Sequence, residues 1–191
     1  MIDEIEVAAI AALLRPAFAP RRSTARSAKS CSSPASCAPA TGAARWCWSS
    51  SGPTARCCCT ARRTTRLSTF RLPTGGINLG EPVLAAALRE TAEETGLEVA
   101  VQRFLAVIAY RLWFDAIRLP FVSYVFHLRE TGGQLSLDGG EVAAFRECAP
   151  AELPAIAAAL RSIPHERGYW GRWRAVAHEV AAEAWNVTRN A

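Results

Sequence analysis

The sequence predicts an α+β fold, because the chain from Leu67 onward carries both helical and strand patterns. Residues 82–95 predict a helix, and Gly96 follows it in the position that a C-cap glycine takes. The run Phe121–Leu128 alternates between two faces, which is typical of a strand, and Val99–Tyr110 predicts another. The pattern also predicts a strand at Glu141–Glu147, a helix opened by Glu152-Leu153-Pro154, and a last helix from about Trp170 to Trp185.

Length and composition indicate one globular domain with an unusual leading part. A chain of 191 residues can bury one sizeable core, and half of its residues are apolar. Residues 1–18 predict a short amphipathic helix, residues 19–66 form an Arg-, Ser- and Cys-rich segment without a regular period, and residues 67–191 form the domain with its C-terminal helix. No apolar run approaches the ~18 residues of a membrane span. Because the first residues are acidic where a secretory signal is basic, we expect a cytoplasmic protein without a membrane partner.

The net charge of +5 belongs to one part of the chain. No Asp or Glu occurs between Val7 and Gly80, whereas eleven of the 22 Lys and Arg residues fall there. The remainder is mildly acidic, so nucleic acid is not the expected partner. Six of the seven Cys also lie in residues 19–66, far from the three His, and neither a zinc site nor a disulfide framework is expected.

Three interpretations of residues 19–66 stay open. A disordered basic arm or an RNA-binding tail would suit the arginines, and nucleic-acid binding by such an arm would weaken steeply with salt. Neither explains Trp46-Cys47-Trp48 or Cys57–Cys59. Translation out of frame does, because reading one nucleotide back turns 46–51 and 57–59 into aliphatic runs around a polar turn, the pattern of a hairpin. Sequencing the source gene tests this hypothesis, and a single intact frame contradicts it.

The chemistry lies in one motif, Gly75-x5-Glu81-x7-Arg89-Glu90-Thr91-x-Glu93-Glu94-x-Gly96-Leu97. On the predicted helix, Glu90, Glu93 and Glu94 share one face, since they stand at positions i, i+3 and i+4. Carboxylates so close together repel one another unless a cation compensates them, and Mg²⁺ prefers such oxygen ligands. The alternative is a solvated acidic face in which Arg89 pairs with Glu93.

This spacing resembles the signature of the Nudix hydrolase family. Seven fixed positions of the motif match, Leu97 fills the hydrophobic slot, and Thr91 departs from the usual aliphatic residue. The approach loop Leu72-Pro73-x-Gly75-Gly76 is also similar. The resemblance covers roughly residues 67–160, with Glu147 where many members carry Trp. It implies the Nudix fold, an α/β/α sandwich with a mixed β-sheet.

The resemblance implies a metal site. Four ligands for Mg²⁺, or for Mn²⁺ in its place, are expected: the Gly75 carbonyl and the carboxylates of Glu90, Glu93 and Glu94. The ions would bridge pyrophosphate oxygens and activate a water that attacks phosphorus, with Glu90 as the candidate base. Glu141 is an additional candidate ligand or base, and a surface residue at the start of a strand is its alternative role.

The resemblance gives the other residues of the motif a supporting role. Glu81 and Arg89 are expected to hold the loop against the helix, which makes Arg89 part of the catalytic apparatus, and Gly96 is expected to end the helix. Outside the motif, His127, Trp170 and Trp173 are expected to pack rather than to take part in the chemistry.

The expected activity is hydrolysis of a pyrophosphate bond in a nucleoside diphosphate linked to another moiety. Candidate substrates are nucleoside triphosphates, oxidised ones included, ADP-ribose-like sugars, dinucleoside polyphosphates and coenzyme A. The partner is thus a nucleotide-type small molecule, and a homodimer is one candidate assembly. Two alternatives stay open: a catalytically silent nucleotide-binding or regulatory Nudix module, and an inactive product of a frame-shifted gene.

Overall fold

The structure, a computed structural model, describes residues 22–28, 43–49, 57–62, 69–114, 117–137, 142–164 and 168–189. The predicted helix at residues 1–18 and the candidate Glu141 lie outside these ranges.

The described residues form seven strands and three α-helices. The strands are β1 (Arg22–Ala28), β2 (Ala43–Ser49), β3 (Cys57–Arg62), β4 (Thr74–Gly76), β5 (Leu97–Phe114), β6 (Ile117–Gly133) and β7 (Val142–Cys148). The helices are α1 (Val83–Thr95), α2 (Leu153–Arg161) and α3 (Gly168–Arg189), and a short 3₁₀ helix at Pro150–Glu152 precedes α2. Within these described parts, no helix is both long enough and apolar enough to cross a membrane.

Five of the strands form one mixed sheet in the order β1-β5-β6-β2-β4. The pairs β1–β5 and β6–β2 are parallel, whereas β5–β6 and β2–β4 are antiparallel. Strands β3 and β7 form a separate antiparallel pair. The predicted α+β fold with a mixed sheet is thereby confirmed.

Two hydrophobic clusters lie on opposite faces of the long β5–β6 hairpin. Tyr124, Phe126 and Leu128 of β6 pack in the cluster that contains Val83 and Ala87 of α1. Val125, between them in sequence, packs instead in the cluster formed with α2 and α3. Because side chains alternate along a strand, a segment that is apolar on both faces is covered on both sides. Helix α1, which carries the acidic residues of the motif, therefore lies on one side of the sheet, and α2 and α3 lie on the other.

The predicted elements of the second half of the chain are present, with longer strands than expected. Helix α1 begins one residue after Pro82 and ends at Gly96 in the left-handed conformation, with φ of 73°. β5 and β6 extend beyond the predicted runs because they pair along most of their length, with three shifts of register between Glu98 and Ala106. In the last helix, Val176 is buried, Val180 is partly buried against the core, and Trp173 packs there as predicted.

The Arg- and Cys-rich segment at residues 19–66 contributes three strands to the structure, β1, β2 and β3. No pattern in its sequence predicted them. β2 and β3 overlap the two aliphatic runs of the frame-shift hypothesis, at residues 46–51 and 57–59, but they do not pair as a hairpin. β2 lies in the main sheet and β3 pairs with β7. The frame-shift interpretation stays a hypothesis about the gene.

Replacing Gly96 by alanine is expected to lower the free energy of unfolding by roughly 1–3 kcal/mol. A side chain at this positive φ is strained, and the added Cβ would lie 2.6 Å from the Gln134 carbonyl oxygen. Urea denaturation measures the loss. Gly132→Ala is the matched control, since its Cβ would meet only the Glu98 side chain, and the one tight contact there is with the flexible carboxylate end. Equal midpoints for the two variants would contradict the prediction.

Candidate active site

The approach loop, residues 72–76, is buried except at its last residue. Its strand β4 pairs with Ala43–Arg45 of β2, which places the loop at the edge of the main sheet. Within the loop, the Thr74 hydroxyl donates a hydrogen bond of 3.1 Å to the Leu72 carbonyl and accepts one of 3.3 Å from Arg71. The loop thus has a defined shape before it reaches Gly75.

Glu90 of α1 packs directly against the backbone of Gly75. A Cβ placed on Gly75 would overlap with Cβ, Cγ and Cδ of Glu90, so only glycine permits this approach. Beside it, the Gly76 N–H donates to Glu90 Oε1 at 3.1 Å. The loop and the acidic face of the helix are therefore in contact at the centre of the motif.

Arg89 connects the loop to the acidic residues. Its Nε and Nη2 donate to the two carboxylate oxygens of Glu81 at 2.7 and 2.8 Å, a bidentate pair. Its Nη1 donates to Glu90 Oε1 at 3.0 Å and to Glu93 Oε2 at 2.9 Å. Its Nη2 also donates to the Gly76 carbonyl at 3.2 Å. One guanidinium group therefore holds three carboxylates and the loop backbone together.

These contacts change the acidity of both members of the bidentate pair. The hydrogen bond from Arg89, followed by the one that the Asn78 N–H donates at 2.9 Å, lowers the pKa of Glu81 to about 2. The hydrogen bond to Glu81 is likewise the main cause of the raised pKa of Arg89. Both groups are therefore charged over the whole physiological pH range.

The three carboxylates of the acidic face differ in their surroundings. Glu90 exposes 18% of its side chain and Glu93 exposes 60%, and both contact Arg89. Glu94 is half-buried on the same helix. In the part of the chain that the structure describes, no three His, Cys, Asp or Glu side chains stand together in an arrangement that could hold a metal ion. The donors themselves, carboxylate and backbone carbonyl oxygens, are those that hard divalent cations prefer.

The acid sensitivity of folding is expected to depend on Glu81. Because its folded pKa of about 2 is lower than the ordinary 4.5, Glu81 contributes stability that is complete above pH 4.5 and is lost as pH falls through about 2. Glu81→Gln should therefore be less stable than the wild type at neutral pH, and the difference should shrink between pH 4.5 and 2. Urea denaturation across pH tests this, and parallel stability curves for the two proteins would refute it.

A family model described as the NUDIX domain matches residues 43–170 of the chain. The chain belongs to the Nudix family. The match begins within the Arg- and Cys-rich segment and includes β2 and β3, so the Nudix likeness reaches further than the residues 67–160 expected from the motif.

Two similar proteins match part of the chain. One, from Mycobacterium tuberculosis (strain CDC 1551 / Oshkosh) and provisionally named mutator protein MutT4, is 38% identical over 85 residues, or 44% of this chain and 34% of that protein. Another, from Bacillus subtilis (strain 168) and provisionally named 8-oxo-dGTP diphosphatase, is 36% identical over 83 residues, or 44% of this chain and 52% of that protein. The matched regions thus span about a third and a half of these relatives.

Solved Nudix structures share the architecture of the chain. The crystal structure of a UDP-X diphosphatase has a TM-score of 0.53 and 17% identity, and the likeness covers 98% of this chain and 73% of that one. A Nudix hydrolase from Nitrosomonas europaea has a TM-score of 0.50 and 16% identity, over 71% of this chain and 89% of its own. At such identities the likeness shows the Nudix fold alone.

Thr91, the one departure from the Nudix motif, lies fully buried on the sheet side of α1. Its hydroxyl donates to the Ala87 carbonyl one turn earlier at 2.7 Å. The polar atom is satisfied within the helix, so a threonine can replace the usual aliphatic side chain without a buried unpaired group.

Two histidines have roles that differ from one another. His127 packs edge to face on Trp185 with ring centroids 4.4 Å apart, and burial, with a smaller contribution from Arg103, lowers its pKa to about 4. It is a neutral packing residue. His178, which the sequence did not single out, accepts a hydrogen bond of 2.9 Å from the Leu72 N–H of the approach loop. No local signal reveals this contact, because the two residues are 106 positions apart.

Proposed function

We propose that this chain is a Mg²⁺-dependent pyrophosphohydrolase acting on a nucleoside diphosphate linked to another moiety. The observation that carries the proposal is the contact between Glu90 and the approach loop. The Glu90 carboxylate lies against the bare backbone of Gly75 and is held by the Gly76 N–H and by Arg89. A general base must first be correctly placed, and this carboxylate has a defined orientation. Glu90 is thus the residue that takes the proton from the water attacking phosphorus.

Gly75, Glu90, Glu93 and Glu94 would hold the cation, and for this the carboxylates must turn toward it from their present contacts. Glu93 is the residue most able to reorient, because 60% of its side chain is exposed. Its ion pair with Arg89 is also exposed, and such pairs contribute about 0–1 kcal/mol to stability. Glu93 can therefore leave its ion pair with Arg89 and bind a cation with little loss of free energy. When bound, Mg²⁺ polarises the phosphoryl oxygens and offsets the charge that develops on them. Mn²⁺ offers similar chemistry to the same oxygen ligands.

Arg89 and Glu81 act on the geometry of the site. The bidentate pair leaves Arg89 with one orientation, and from there it contacts Glu90 and the Gly76 carbonyl together. The distance between loop and helix, and with it the position of the Gly75 carbonyl, is set by this group. Holding reacting groups in place is a large part of catalysis in phosphoryl transfer.

The names of relatives support a nucleotide-type substrate for this chain. The relative from Bacillus subtilis is provisionally named 8-oxo-dGTP diphosphatase, the name of an enzyme that cleaves a diphosphate linkage. Nudix hydrolases generally use divalent metal ions. We place the activity in the cytoplasm, where nucleotides and Mg²⁺ are both available.

Product formation from a panel of nucleotides, with and without Mg²⁺, tests the proposal. We expect cleavage only with the cation, and a loss of roughly 100-fold or more in kcat for Glu90→Gln, the scale of a positioned base. Glu94→Gln should also lose the metal-dependent activity. Glu98→Gln, an exposed carboxylate on β5 outside the motif, is the matched control and should keep it. Turnover that is equal with and without chelator would overturn the proposal.

A silent nucleotide-binding module is the second candidate function. It is favoured by Arg89, which already contacts both Glu90 and Glu93. Saturable nucleotide binding without turnover, by this chain and by a frame-restored version alike, would support it. Turnover by the restored version alone would identify this chain as a damaged copy of an active enzyme.

A further inference from the structure

The C-terminal helix α3 contacts the approach loop through the buried imidazole of His178. The Leu72 N–H donates to His178 Nε2 at 2.9 Å, and His178 Nδ1 lies 2.9 Å from the Arg174 carbonyl oxygen. Since Nε2 accepts a hydrogen bond, the proton of the neutral ring must be on Nδ1, which donates to that carbonyl. Both ring nitrogens are therefore used, one within the helix and one on the loop.

The position of the ring is set by the packing of α3 on α2. A Cβ on Gly171 would overlap with the Leu160 carbonyl oxygen, so the two helices meet closely there. Eight residues further along α3, next to His178, Glu179 accepts two hydrogen bonds of 2.7 Å from Arg161 of α2. The close approach at Gly171 defines the register of α3 and so places the imidazole at the loop, whereas the Arg161–Glu179 pair is exposed and contributes little to this position.

The hydrogen bond from Leu72 to His178 holds the approach loop three residues before Gly75. Leu72 follows Arg71, whose N–H and carbonyl both pair with Thr60 at 3.0 and 2.7 Å. The Leu72 carbonyl accepts from the Thr74 hydroxyl, which fixes the residue just before Gly75. The N–H of Leu72 is thus held by α3, its carbonyl is held by the loop, and the next contact along the chain is that of Gly75 with Glu90.

We infer that His178 is a positioning residue for this loop: by accepting from the Leu72 N–H, it keeps Gly75 and Gly76 in place against Glu90 and so maintains the affinity for the divalent cation. The part of the inference that concerns the cation rests on the proposed function, whereas the hydrogen bond between Leu72 and His178 is independent of it. It assigns to the C-terminal helix, on the opposite side of the sheet from α1, a direct part in shaping the site.

Replacing His178 by glutamine or by asparagine distinguishes the roles of its two hydrogen bonds, the one at Nε2 and the one at Nδ1. In His178→Gln, the side-chain oxygen can reach the position of Nε2 and accept from Leu72. In His178→Asn, the shorter amide can replace only Nδ1 and leaves the loop without its acceptor. We expect the Mn²⁺ affinity of the free protein, measured by electron paramagnetic resonance, to fall roughly tenfold in His178→Asn, the scale of a lost outer-shell partner. His178→Gln should stay within about threefold of the wild type.

Hydrogen exchange at the Leu72 amide provides a second readout, and Glu179→Gln is the control for the helix. Exchange should accelerate in His178→Asn but not in His178→Gln or Glu179→Gln. Equal Mn²⁺ affinity and equal exchange in the Asn and Gln variants would overturn the inference. If the wild type itself binds no Mn²⁺, the proposed metal dependence fails, and the exchange rates alone decide the role of His178.

Discussion

Gly75→Ala is expected to reduce hydrolysis by roughly 100-fold, because a displacement of about 1 Å among reacting groups has that effect on rate. The added Cβ would overlap with three carbons of Glu90, among them its Cβ, which is fixed by the backbone of α1. The loop must therefore move away from the helix, and the Gly75 carbonyl moves with it. The overlap in a buried position should also lower the free energy of unfolding by about 1–3 kcal/mol.

Gly76→Ala is the matched control for this substitution. Its Cβ would meet only Glu90 Oε1, at an ordinary contact distance of 4.0 Å. Initial rates on the cleaved nucleotide and urea denaturation should therefore separate the two neighbours clearly. If Gly75→Ala keeps the activity of Gly76→Ala, the close approach of loop and helix is not required for the reaction.

Arg89→Lys is the second substitution with a large expected effect, a loss of about 100-fold in kcat. The guanidinium contacts Glu81, Glu90, Glu93 and the Gly76 carbonyl together, through donors in a fixed fork. A lysine ammonium keeps the charge but not the fork, so it cannot form the bidentate pair and reach the loop at once. Charge is conserved in this variant, and the loss therefore reports on geometry.

Arg161→Lys provides the comparison for Arg89→Lys. Arg161 also forms a bidentate pair, with Glu179 at 2.7 Å for both bonds, but it lies between α2 and α3 on an exposed surface. Its replacement should leave kcat within about twofold, since exposed pairs contribute little. Steady-state kinetics on both variants measures the contrast, and an equally active Arg89→Lys would show that the fork is dispensable.

Local signals predicted the half of the fold that carries the motif. Helix α1 was predicted within one residue because Gly96 ends it and the acidic and apolar positions follow the helical repeat. β6 was predicted from the alternation of Phe121–Leu128 and β5 from the run Val99–Tyr110, although their pairing carries both strands beyond these runs. These features depend on neighbours within a few residues, which is the range over which a sequence pattern acts.

The strands of the Arg- and Cys-rich segment depend instead on residues far away in the sequence. β1 pairs with β5, β2 with β6 and β4, and β3 with β7, so their partners lie far along the chain. Their composition gives no alternation that would reveal a face. A strand of this kind exists through backbone hydrogen bonds to its neighbours, and these are visible only when the partners are in place.

By itself, the sequence determined the Nudix motif, the helix that presents Glu90, Glu93 and Glu94, and the α+β class, because each depends on residue spacing along a few turns. Tertiary structure alone decided that Glu90 lies on the backbone of Gly75. It also decided that His178 holds Leu72 across 106 positions. These contacts arise where separate elements meet, and the energy that selects them comes from packing and from buried hydrogen bonds between distant residues.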